Sequence, residues 1–229
     1  MIRALALRAC PLLLPCILAG CEPSAPAPPP ELPSLSGRTT ITLPPGSSVA
    51  LPLRLVVVTF DGAPQVADPP ALLTDASSFV AHLNAMYAKA PLRFDLRALD
   101  HVTVPWETWQ SHVPVRTLLP PATDPHALTL YVVPSLSNAK GEPLNGMVLG
   151  PHSLIVSLNA SLRAAGPSTA GQPVVTEPVV RVSGHLVGSL FGLQVSQDPM
   201  NLMANGTTGT ALSRDQLWSL QVPTDLVER

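Results

Sequence analysis

The sequence predicts an α+β domain, and three observations carry that prediction. Dense aliphatic and β-branched runs at 51–60 (LPLRLVVVTF), 127–134 (ALTLYVVP) and 153–158 (SLIVSL) have the length and bounding turn residues of buried strands. Between the first two, 74–90 sets Phe79, Leu83, Met86 and Tyr87 at spacings of three and four, the apolar stripe of an amphipathic helix. Beyond the third, 179–193 is an apolar, glycine-rich stretch of helical length that carries His185. Strands and helices in this order fit an α+β architecture.

The chain begins with Arg3 and Arg8 ahead of an apolar run, 9–19, which is too short to span a bilayer as a mature helix. Leu18-Ala19-Gly20-Cys21 closes it and resembles the bacterial lipobox. That resemblance implies a signal peptide over 1–20, cleavage before Cys21, acylation of its thiol, and a lipid-anchored protein of the cell envelope. Glu22 stands where an aspartate would imply inner-membrane retention, so the outer membrane is the expected location. The other two of the three cysteines, Cys10 and Cys16, fall inside the leader, so the mature chain has no disulfide framework and no thiolate metal site. Residues 21–38 hold the anchor and a proline-rich tether that favours extended polyproline II. The domain is expected over 39–229.

Within it, 39–48 suggests an edge hairpin turning at Pro44-Pro45-Gly46, followed by the 51–60 strand. The helix at 74–90 has Thr74 or Asp75 as its cap and Pro91 as its stop. Residues 92–104 alternate as a strand, with Leu92, Phe94, Leu96 and Leu99 assigned to one face. Trp106 and Trp109 open a proline-punctuated connection and are expected to cover the sheet edge. Gly141, Asn145, Gly146 and Gly150 make 138–151 a loop with a short edge segment, Met147, Val148 and Leu149. A glycine- and proline-rich loop over 164–178 precedes the His185 helix, and 213–221, capped by Ser213, reads as a terminal helix.

Composition excludes some functions. Charged residues are 12% against 46% hydrophobic, enough for a sizeable core. The formal charge is −2, and losing Arg3 and Arg8 leaves 11 − 15 = −4, with no basic surface to follow a phosphate backbone; nucleic acid is not an expected partner.

The stretch 185–203, HLVGSLFGLQVSQDPMNLM, bears on chemistry. It resembles the metzincin signature H-E-x-x-H-x-x-G-x-x-H followed by a methionine-bearing turn. His185 falls on the first histidine and Gly192 on the glycine, while Leu186 takes the place of the catalytic glutamate. Ser189 and Val195 take the places of the second and third histidines, and Asp198-Pro199-Met200-Asn201-Leu202-Met203 resembles the Met-turn, with Met203 as its floor. The upstream order of strand, helix ending LNAMYAKA and strand beginning LRFDL resembles the start of bacterial metzincin domains. The resemblance implies a twisted mixed β-sheet backed by helices, with an edge strand at Met147, Val148 and Leu149 that takes up extended peptide.

It does not imply activity. A catalytic zinc needs three protein ligands and an open position. Here one imidazole remains, since serine is a poor ligand and valine has no lone pair. Leu186 cannot accept a proton from a metal-bound water. The expectation is a domain without zinc, cofactor or peptidase activity, serving as a peptide- or protein-binding module of the envelope. The alternatives are an active metal-dependent peptidase with non-standard ligands, in which zinc would be the cofactor, and a structural lipoprotein of unrelated α+β fold. Asp198-Pro199 reads as the start of a bend, and the remaining histidines stand singly in the sequence.

Overall fold

Apolar runs dominate the centre of a five-stranded mixed sheet, and the computed structural model describes residues 39–43, 48–62, 76–110, 115–122, 124–163 and 177–227. The leader, Cys21, the tether, the Pro44-Pro45-Gly46 turn, the Thr74/Asp75 cap and most of the 164–178 loop lie outside the described residues. Those described belong to one unit, Leu32–Arg229.

The strands are β1 (Thr40–Thr42), β2 (Val49–Asp61), β3 (Leu92–Pro105), β4 (Leu128–Val133), β5 (Gly146–Gly150), β6 (Ser153–Ser157) and β7 (Gln221–Pro223). The helices are α1 (Ala76–Met86), α2 (Trp106–Gln110), α3 (Val115–Leu118), α4 (Pro178–Leu190) and α5 (Arg214–Trp218). The main sheet runs β3-β2-β4-β6-β5. All its neighbours are parallel except β5, which lies antiparallel to β6 at one edge. Each residue of β4 is buried, as a strand covered on both faces requires. Leu53, Leu55, Leu130 and Val132 face the layer of α1 and α4, whereas Val56, Val58, Tyr131 and Ile155 face Leu119 and the 106–122 connection. Trp106 and Trp109 close that side against Phe60, with ring centroids 5.1 and 4.9 Å away.

Two expectations need correction. The hairpin at 39–48 is not formed, because β1 pairs antiparallel with β7, joining the start of the domain to its end. The terminal helix over 213–221 is shorter. The Ser213 capping box starts α5 as expected, but the chain leaves the helix after Trp218 and extends into β7. The expected face of β3 is kept, by way of an irregularity. The pairing steps from Leu53↔Leu96 to Arg54↔Ala98, so a bulge at Arg97 reverses the alternation. Leu92 and Phe94 are buried and the bulge brings Leu99 to their side, while Leu96, paired with Leu53, stays 37% exposed in a groove beside α1.

The two sheet edges differ. At β3 the Asn84 side chain both donates to the Phe94 carbonyl (2.9 Å) and accepts from its N–H (2.7 Å), satisfying the backbone of that one residue as another strand would. No strand among the described residues pairs with the outer side of β5.

Candidate functional site

The helix α4 is buried nearly all round: among its residues only Pro178, His185 and Ser189 are not fully covered. Pro178 starts it without needing a hydrogen-bond partner for its nitrogen. It ends as the glycine at 192 predicts. Gly192 has φ +82°, its N–H donates to the Ser189 carbonyl, and Leu193 N–H donates to the Gly188 carbonyl, forming a Schellman cap. Gly184 and Gly188 form a flat face on which Met86, Tyr87, Leu202 and Met203 rest. A Cβ at 188 would lie 2.5 Å from the Met203 sulfur and 3.2 Å from the Tyr87 hydroxyl. Tyr87 donates to the Gly184 carbonyl at 2.7 Å, and burial pushes its pKa up, so it stays neutral.

The turn after α4 packs beneath this face. Asp198 Oδ1 accepts the Met200 N–H at 3.0 Å and the Asp198 carbonyl accepts the Asn201 N–H at 3.0 Å, so Asp198-Pro199 does begin the bend. Asn201 ties the turn to α5 by a reciprocal amide pair with Gln216 (2.8 and 3.2 Å) and accepts the Met203 N–H at 2.8 Å. Met203 is fully buried.

His185 faces this turn. Its Nδ1 lies 3.1 Å from the Leu202 carbonyl. A carbonyl can only accept, so Nδ1 carries the proton and the neutral ring leaves Nε2 bare. Burial pushes the His185 pKa below 6.5; the hydrogen bond to Leu202 opposes this and the charge of Arg181 adds to the fall. A base with a lowered folded pKa is protonated first in the unfolded chain. Stability from this site is therefore present above about pH 6.5 and declines as the pH falls below it toward the folded value. Urea unfolding at pH 7.5 and pH 5 is expected to show this loss in the natural protein and a smaller loss in His185→Gln.

The other signature positions do not converge with His185 on a metal. The Ser189 hydroxyl donates back to the His185 carbonyl at 3.1 Å. Val195 lies past the helix end, 54% exposed. Leu186 is buried against the edge strand: its Cδ1 would be 2.9 Å from a Cβ on Gly146 of β5. An apolar contact thus fills the place of the family's general base. The zinc implied by the metzincin resemblance does not fit this set, which offers one imidazole nitrogen and no second basic donor. Among the described residues no three histidine, cysteine, aspartate or glutamate side chains gather as a metal site. Of the edge segment, Val148 and Leu149 point into the two cores and Met147 is 41% exposed. What β5 presents is backbone and one flexible thioether.

Arg181 belongs to no motif in the sequence, although a cation within VVRVSGHL signals that something buried needs it. Nor does residue spacing pair the histidines. In the structure Asp225 joins two of them: His152 Nε2 lies 2.8 Å from its carboxylate and His126 Nδ1 2.8 Å from its carbonyl.

No protein-family model matches the chain, and no curated protein matches it. Among solved structures it is similar to a zinc-dependent peptidase from Methanocorpusculum labreanum (strain Z), at 16% identity over 72% of this chain and 93% of that one, with a TM-score of 0.35. It is also similar to a chain in a structure of a chaperone–substrate complex, at 12% identity over 79% of this chain and 32% of that one, with a TM-score of 0.37. Likeness this distant carries no argument about activity.

Proposed function

We propose that this chain is an envelope lipoprotein, anchored through Cys21, whose domain keeps a metzincin-like frame without its catalyst and binds an extended protein segment along β5. The observation that carries the reading is Leu186. Where hydrolysis would need a carboxylate beside a metal-bound water, a buried leucine packs on the edge strand. The outer side of β5, with which no strand among the described residues pairs, supports strand addition as the binding mode. One observation favours the rival reading of a retained metal: the His185 ring is held in the tautomer that leaves Nε2 bare, as metal-binding histidines are.

Metal analysis of the purified full chain decides between them. The expected result is no stoichiometric zinc and no proteolysis, palmitate label on Cys21, and an extended apolar peptide shifting the amide signals of Met147, Val148 and Leu149. Stoichiometric zinc with proteolysis, both lost in His185→Ala, would overturn the proposal.

A further inference from the structure

Arg181 lies one turn before His185 on α4 and is 2% exposed. A buried guanidinium is costly unless its donors are satisfied. Among the described residues no carboxylate forms an ion pair with it. Backbone carbonyls serve instead: Nε donates to Gly209, and Nη2 donates to Ala204 at 2.9 Å and Asn201 at 3.4 Å. Burial holds its pKa down at about 10, which leaves it charged at neutral pH.

All three acceptors belong to the turn that follows α4, and two of them bracket the residue that meets His185. Asn201 and Ala204 are bound to the guanidinium, while Leu202 between them presents its carbonyl to Nδ1 of the imidazole at 3.1 Å. The planar fork of arginine suits acceptors spread over nine residues of chain; the single ammonium of lysine reaches fewer of them.

We infer that Arg181 is a positioning residue for His185: by gripping the carbonyls of Asn201, Ala204 and Gly209 it sets the Leu202 carbonyl, and so the tautomer that leaves Nε2 bare. The inference does not depend on β5 binding a partner, nor on a metal, so either can fail alone.

Nitrogen NMR of the imidazole rings in the full chain, at pH 7.5, is the test. His185 in the natural protein is expected almost wholly in the Nδ1–H form. Arg181→Met, which keeps length but removes the fork, should shift His185 toward the Nε2–H form that free histidine favours. Arg181→Lys should recover only part of the original population, with the His126 and His152 rings unchanged in both. A folded Arg181→Met protein whose His185 stays in the Nδ1–H form overturns the inference. Should that variant not fold, the natural protein still decides. Slow Nη rotation and a scalar coupling from Arg181 Nε–H to the Gly209 carbonyl are expected; free rotation without the coupling overturns it.

Discussion

Leu186→Glu is expected to destabilise the domain by roughly 3–5 kcal/mol and to confer no proteolysis. Leu186 is 8% exposed, and its Cδ1 occupies the space that a Cβ on Gly146 would enter. A carboxylate there would lose the apolar contact, about 1.5–3 kcal/mol for a buried aliphatic side chain, and would bring an uncompensated charge into a buried site. Burial would raise the new carboxyl's pKa, so the unfolded chain would ionise first. The penalty should therefore be largest at neutral pH and shrink as the pH falls toward the ordinary glutamate value of about 4.3. Urea midpoints at pH 7 and pH 4.5, with a casein assay beside them, measure both parts. A loss below about 1 kcal/mol at pH 7 would mean that position 186 opens to solvent, and the argument from a filled site would fall.

How far such a result could be foreseen from sequence depends on the element. The strands β2, β4 and β6 were legible because burial on both faces along most of their length demands runs dominated by apolar residues. The end of α4 at Gly192 was legible because a left-handed residue there favours glycine. The short edge strand at Met147, Val148 and Leu149 was legible from the glycines around it. The β1–β7 pair was not: three-residue strands carry no periodicity, and their partners lie about 180 residues apart. The bulge at Arg97 was hidden because it reverses an alternation that still reads as regular on either side. At the site, the losses at 186, 189 and 195 were plain from residue type. That Leu186 contacts β5, that Arg181 holds the turn, and that Asp225 gathers two histidines are facts of tertiary packing, for which one sequence has no period to offer.

Gly209→Ala is expected to cost about 3 kcal/mol, at the upper end of overpacking penalties, because of where its carbonyl and its missing side chain both point. The carbonyl accepts the Nε–H of Arg181. A Cβ at this position would run into the Pro199 oxygen and the carbonyl carbon and oxygen of Met200. Those are backbone atoms, so relief requires moving the turn itself, and any such movement draws the carbonyl from a buried guanidinium. Gly206 in the same turn is the informative comparison. It has φ +65° and open space around it, so alanine there meets only the left-handed backbone cost of about 1–2 kcal/mol. The ratio of the two losses, read from urea midpoints, separates a turn held by contact from one held by backbone preference. Equal losses would mean that the turn yields at 209 and that the Arg181 grip is slack. A larger loss at 209 would mark the turn beneath His185 as a rigid part of the domain, held from within by its own buried cation.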